Sequence, residues 1–148
     1  MVYRCPGLTV NRNEFEALIR RLADAWAALD VEAAVACFTD DAVYMQPPEE
    51  QLFVGHEELR AYFAPLEPGT YLRLDNVWFD EDRQRGAVEF TFGVGDQEPA
   101  DHGISVVDVA DGRIRAWREY LVKGPSDQAR FLATDGKDWH WHIGNLEG

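Results

Sequence analysis

The chain changes its periodicity once, near residue 70, and that change limits the folds open to it. Before it, apolar residues recur at helical spacing; after it, β-branched and aromatic runs are cut by turn residues at intervals of roughly ten. Helices followed by strands on tight turns make an α+β domain, with the helices segregated to one face of a mainly antiparallel sheet. The first helix carries the stripe Phe15, Leu18, Ile19, Leu22, Trp26 and Leu29, the i, i+3, i+4, i+7 pattern of one buried face. Either Asn11 with Glu14 or Asn13 with Glu16 supplies a capping box at its start. Asp30 restarts a shorter helix through Val31, Ala34, Val35 and Phe38, which the turn formers Thr39-Asp40-Asp41 are expected to end. A brief strand over 42–46 stops at Pro47-Pro48, which remove two backbone donors. A loop with Gly55 leads to a third helix over 56–66, ended by Pro68-Gly69.

The late strands are expected over 70–79, 87–94, 102–109 and 113–122. Asp111-Gly112 joins the last two, among the strongest short hairpin signals. A strongly curved sheet wrapped around the first helix would bury the Trp26 stripe and leave a concave mouth, the default place for a ligand. A helical turn is expected over 127–133, before the aromatic segment Trp139-His140-Trp141-His142.

With 148 residues, the chain reads as one domain, 1–148, with a core over about 12–123 and a tail over 124–148. Lys and Arg number 14 against 27 Asp and Glu, a formal charge of −13. Such a surface repels phosphate backbones and argues against nucleic acid. No run approaches the roughly 20 apolar residues of a membrane-spanning helix, and the N-terminus lacks the apolar stretch of a signal peptide. Cys5 and Cys37 form no disulfide framework and no zinc spacing. A cytoplasmic location without a membrane partner is the expectation. Phosphate-binding glycine loops and nucleophile elbows are absent.

Three phrases, "LIRRLADAWAALDVEAAVACFTDDAVYMQPP", "GHEELRAYF" and "VVDVADGRIRAWREY", follow in an order that resembles the SnoaL-like branch of the nuclear transport factor two-like superfamily, to which ketosteroid isomerase also belongs. The resemblance runs from Glu14 to Val122. It implies a cone-shaped α+β barrel with a hydrophobic pocket, and a homodimer made through the outer sheet face. It does not imply one activity, because such folds host isomerases, cyclases, dehydratases, hydrolases and binding modules. In ketosteroid isomerase the base directly precedes the proline that ends the first strand; here that position is Gln46, which can orient a ligand but cannot take a proton. The family's oxyanion-hole Asp falls near Ser105. Ketosteroid isomerisation by that mechanism is therefore excluded.

Alternation along the last strand puts Trp117, Glu119 and Leu121 on one face and Arg118 and Tyr120 on the other, and the family match turns the first set toward the cavity. Glu119 would then be a carboxylate in an apolar mouth, suited to general acid or base work; alternatively it pairs with Arg115 or Arg118, or faces water. Asp101 shares the parity of Ser105 and is a second acid–base candidate. His102, with an ordinary pKa of about 6.5, is a third, against a structural or exposed role; neighbours on a strand face opposite ways, so Asp101 and His102 form no relay. Trp26 and Tyr44 line the pocket or simply pack in the core. His140 and His142 are too few for a metal, and their tryptophan neighbours read as an edge strand or a lid.

The expected function is a cofactor-independent lyase, isomerase or cyclase that uses no metal and acts by proton transfer on a small hydrophobic metabolite, polyketide-like or terpenoid-like. Glu119 or Asp101 would move the proton while Gln46, Tyr44 and Ser105 hold a carbonyl or hydroxyl beside Trp117. The alternatives are a small-molecule-binding or accessory module with no chemistry, and a dimeric scaffold whose pocket is filled by its own side chains. A titratable carboxylate in the cavity separates the first reading from the others.

Overall fold

The computed structural model describes residues 7–47 and 51–132; Cys5, Pro48 and the Trp139–His142 segment lie outside them. Helix α1 spans Arg12–Ala27 and buries Phe15, Leu18, Ile19, Leu22 and Trp26. Of the two capping boxes the sequence offers, Asn11 with Glu14 forms: the Asn11 side chain accepts from the Glu14 N–H at 3.0 Å, and the Glu14 carboxylate accepts from the Asn11 N–H at 2.8 Å. The stripe ends at Trp26, three positions earlier than expected, because Leu29 turns into the left-handed region (φ 57°) and is exposed. Asp30 then caps α2, Val31–Ala36, by accepting from the Ala33 N–H.

The next element corrects the sequence reading. Thr39-Asp40-Asp41 is not a turn, because strand β1 runs over Phe38–Gln46 and takes in Phe38 as well. The Ile114 N–H donates to the Cys37 carbonyl at 2.8 Å, and Arg113 meets Asp40 at 2.9 Å. Pairing with a distant strand and a cation thus overrides the local turn preference of the acidic residues. A strand that the sequence reading missed, β2 over Gln51–Val54, pairs antiparallel with β1. Helix α3 spans Gly55–Phe63 and buries Leu59 and Phe63. Gly55 at φ 76° makes the left-handed step from β2 into α3 that a side chain would resist.

Strands β3 (Thr70–Asp80), β4 (Arg85–Val94), β5 (Ala100–Ala110) and β6 (Arg113–Gly124) follow as a meander, and a short helix α4 (Gln128–Phe131) closes the described chain. Asp111 and Gly112 take positive φ values of 51° and 73° at the β5–β6 turn, as a type I′ hairpin requires. The sheet order is β2-β1-β6-β5-β4-β3, with β1 and β6 parallel and every other neighbour antiparallel. Register breaks at Leu74/Asn76, Asp108/Val109 and Phe38/Val43 add local twist and bend.

The curved sheet is open at its edges and holds the core on its concave side. There the α1 stripe meets Val88, Phe90, Val107, Ile114 and Trp117; full burial is worth about 1.5–3 kcal/mol for each large apolar side chain. Trp26 makes edge contacts with Phe63, Phe92 and Trp117 at 5.4, 6.1 and 6.2 Å between ring centroids. This aromatic girdle sets the floor of the concavity.

Candidate functional site

A cavity of about 190 Å³ opens beside that girdle. Helix α1 contributes Trp26, β1 contributes Tyr44 and Gln46, and α3 with its following loop contributes Tyr62, Phe63 and Leu66. The meander adds Leu72, Phe90, Phe92 and Leu121, together with two carboxylates, Asp101 and Glu119.

Period-2 alternation on β6 turns Trp117, Glu119 and Leu121 inward, and the parallel register Tyr44↔Trp117 brings the β1 side chains alongside. Glu119 is 4% exposed. Its Oε2 accepts from Trp117 Nε1 at 2.8 Å and its Oε1 accepts from Gln46 Nε2. The Tyr44 hydroxyl is a third donor. Neither Arg115 nor Arg118 reaches it: Arg115 lies against Asp108, and Arg118 sits 6.0 Å from the centre of the Tyr120 ring.

Burial pushes the Glu119 carboxyl above the ordinary glutamate range; hydrogen bonds from Trp117, Gln46 and Tyr44 pull the other way, and the charge of Asp101 adds to the rise. The balance is upward, so protonation is favoured relative to a solvated glutamate. Burial first, and then the negative charge of Glu119, hold the Tyr44 phenol well above its usual range. Tyr44 therefore stays a neutral donor. Asp101 sits nearer the mouth, ion-paired with Lys123 across the β5–β6 ladder. The two acids have different surroundings, one dry and hydrogen-bonded, the other partly solvated and beside a cation. Such a separation suits one group to donate a proton while the other accepts one.

Five of the eight residues singled out from sequence, Trp26, Tyr44, Gln46, Asp101 and Glu119, share the cavity wall. The remaining three do not. Trp117 is fully buried behind Glu119, which it serves as a donor and not as a ligand contact. Ser105 lies directly across from Glu119 in the ladder, fully buried and with a hydroxyl that has no partner. It forms no part of the wall.

His102 points to the convex face. Its Nε2 lies 2.6 Å from the Pro125 carbonyl oxygen, which can only accept, so Nε2 carries the proton; Nδ1 lies 3.0 Å from Thr91 Oγ1. The Phe131 ring stacks on the imidazole at 4.0 Å, and Thr91 is held in turn by Arg73 and Asp75. His102 therefore fastens the chain after β6 to the back of the sheet. Tyr62, Phe63, Leu66, Phe90 and Phe92 were not read as site residues, since their helical or alternating spacing marks burial without saying whether a core or a cavity lies beyond.

A wider cleft of about 840 Å³ runs along the β3 edge. It is open, and Arg20 and Arg85 in it pair with Glu16 and Asp108. No buried acid with a raised pKa faces it; the two groups in it whose pKa values move, Asp80 and Arg85, are surface partners of Arg83 and Asp108. Among the described residues, no cluster of three His, Cys, Asp or Glu is placed to hold a metal, and no helix is long and apolar enough to cross a membrane.

The fold recurs in solved structures. A protein of unknown function with a cystatin-like fold from Methylobium petroleophilum PM1 is 23% identical, with a TM-score of 0.67 over 82% of this chain and 83% of that one. An LEH-like epoxide hydrolase from M. tuberculosis is 20% identical, with a TM-score of 0.63 over 75% and 84%. A hypothetical protein with a ketosteroid isomerase-like fold from Catenulispora acidiphila DSM 44928, in complex with trimethylamine, is 14% identical, with a TM-score of 0.61 over 70% and 83%. No curated protein matches the sequence. Residues 19–117, from the middle of α1 to the buried Trp117, match the SnoaL-like domain, and with the helix-filled concave sheet this makes the chain a member of the SnoaL-like family in the nuclear transport factor two-like superfamily.

Proposed function

We propose that the protein is a cofactor-independent enzyme of the isomerase or lyase kind, which moves a proton on a small neutral metabolite held in the 190 Å³ cavity. One observation carries this reading: Glu119, buried and with its pKa raised, faces the cavity together with a second carboxylate, Asp101. A purely passive apolar pocket has no use for a desolvated acid, whose burial is costly. A family fold shared with an epoxide hydrolase and a ketosteroid isomerase-like protein supports acid–base chemistry at the level of fold.

The mechanism follows from the two environments. Protonated Glu119 delivers its proton to a substrate oxygen, while the Asp101 carboxylate takes a proton from the adjacent carbon. The C–H electron pair becomes the enol double bond, and the carbonyl π pair moves to oxygen. Asp101 then returns a proton to carbon while the enol O–H gives its proton back to Glu119, which re-forms the carbonyl and leaves both acids as they began. Tyr44, Gln46 and Trp117 hold Glu119 in one orientation throughout. We further propose that two copies associate through the convex sheet face, where Ile104, Tyr120 and Val122 are exposed.

Acetophenone in D₂O tests the chemistry, with deuterium entering its methyl group followed by proton NMR. The wild type is expected to exchange faster than buffer. Glu119→Gln should lower the protein-dependent rate by about 10²–10⁴-fold, the usual worth of a general acid or base. Exchange no faster than buffer, or equal in the wild type and Glu119→Gln, would leave a binding module as the reading.

A further inference from the structure

The polar groups around the cavity are committed unevenly. Trp117 Nε1, Gln46 Nε2 and the Tyr44 hydroxyl all converge on Glu119, and Tyr62 meets Tyr44. Trp26 Nε1 has no acceptor, but it is sealed off, so no ligand reaches it. The acceptor side is different. Gln46 is 7% exposed and stands in the cavity wall with Tyr44, two residues back on the same face of β1. Its amide nitrogen is committed to Glu119, and the two amide atoms diverge from one carbon, so Oε1 points away from that carboxylate. Among the described residues no donor meets Oε1, yet it is not closed off as Trp26 Nε1 is. Native proteins rarely leave a buried amide oxygen without a partner. No Arg or Lys lines the cavity and two carboxylates do, so an anion is a poor occupant.

We propose that Gln46 Oε1 is the specificity-determining acceptor of this site and that the substrate is a neutral α-hydroxy ketone whose hydroxyl donates to it. Glu119 and Oε1 are separated by one amide group, so the two ligand oxygens they meet belong on neighbouring carbons. That is the spacing of a carbonyl and an α-hydroxyl. Size limits the remainder: an apolar cavity of about 150 Å³ holds one benzene, so 190 Å³ admits one ring with a short substituent. In this pose Asp101 takes the proton from the hydroxyl-bearing carbon, the C–H electron pair becomes the C=C bond of an enediol, and the carbonyl oxygen gains the Glu119 proton. The reverse steps return both protons. Gln46 exchanges none; its oxygen holds the hydroxyl and thereby selects which C–H faces Asp101. This deepens the proton-transfer reading and rests on the cavity being its site.

The test compares ketones that share a carbonyl and differ beside it, with affinities read by NMR titration. 2-Hydroxyacetophenone is matched with propiophenone, CH₂OH against CH₂CH₃, and 2-methoxyacetophenone with butyrophenone, CH₂OCH₃ against CH₂CH₂CH₃. The wild type should bind the hydroxy ketone at least about fivefold more tightly than propiophenone, the worth of one hydrogen bond to a neutral group, and the methoxy ketone no more tightly than butyrophenone. Gln46→Met, which removes both amide atoms, should abolish the hydroxyl preference; a role confined to holding Glu119 would weaken both ketones alike and leave their ratio unchanged. Asp101→Ala should keep the preference, a check that does not depend on Gln46→Met folding. Equal binding of the first pair, an advantage shared by the methoxy ketone, a preference that survives Gln46→Met or is lost in Asp101→Ala, or failure of the first pair to bind at their solubility limits would overturn the proposal. Deuterium exchange keeps the two readings apart. If the preference holds while the wild type exchanges neither 2-hydroxyacetophenone nor acetophenone faster than buffer, recognition by Gln46 stands and the chemistry falls; exchange that Glu119→Gln removes, without a hydroxyl preference, gives the reverse.

Discussion

At the scale of single residues, Glu119 shows how one side chain becomes chemically distinct from 26 other acids in a chain whose Asp and Glu total 27. Among the described residues, most of the other acids face water or a guanidinium, as Glu32 does with Arg60 and Asp108 with Arg85. Those pairings lower their pKa values. Glu119 is raised instead, chiefly by burial, and the sign of its effect on stability follows. The folded state holds the Glu119 proton to higher pH than the unfolded chain does, so between the ordinary glutamate pKa of 4.5 and the raised folded value the native state binds more protons. Stability from this group is complete below that window and is lost as pH rises through the folded pKa. Urea unfolding of the wild type should therefore show a fall across that window which Glu119→Gln lacks; parallel curves for the two proteins would refute the assignment. That Glu119 shares a face with Trp117 and Leu121 was legible in the sequence, because a strand has a period of 2, and the family resemblance turned that face inward. The three donors to Glu119 were not legible. Trp117 is two residues away on the same face, but Gln46 is 73 positions distant, and only the β1–β6 register brings it in.

At the scale of elements, local signals and distant pairing contributed differently. Helix α1 begins where its capping box says, since Asn11 and Glu14 satisfy each other's backbone donors within one turn. Asn11→Ala should cost about 0.5–2 kcal/mol, read as a lower urea midpoint with an unchanged slope; no shift would mean that the cap contributes nothing here. The Asp111-Gly112 hairpin is equally local. The start of β1 is not. Thr39, Asp40 and Asp41 have turn propensity, yet Phe38 pairs with Ile114 and Arg113 meets Asp40. Edge strand β2 has β1 as its one sheet neighbour and stacks on α3 through Phe53 and Tyr62, which no periodicity in four residues announces. His102 belongs to the same lesson. Strand parity separates it from Asp101, but only the fold shows that Pro125 and Phe131 fold back over it and fix it to the convex face.

At the scale of the whole molecule, the two sheet faces have opposite characters. The concave one is filled by α1 and α3 except for the cavity, whereas the convex one leaves Ile104, Tyr120 and Val122 at 41%, 43% and 56% exposure. Contiguous exposed apolar groups of this kind mark association surfaces. Light scattering in solution should give twice the chain mass for the wild type and the monomer mass for Ile104→Lys, with Glu119 chemistry the control that the variant is folded. A monomeric wild type would remove the dimer.

The sequence by itself determined the α+β class, the order of helices and strands apart from β2, the α1 stripe and the shared face of Trp117, Glu119 and Leu121, because each depends on spacing along the chain and on short-range turn and cap chemistry. Tertiary structure alone decided that Gln46 and Tyr44 meet Glu119, that Ser105 and Trp117 stand outside the cavity wall, and that the Trp26 N–H is left without a partner. These depend on register between strands remote in sequence and on how the sheet curves around α1. Both are settled by the joint packing of many side chains, so no segment carries them in its own pattern.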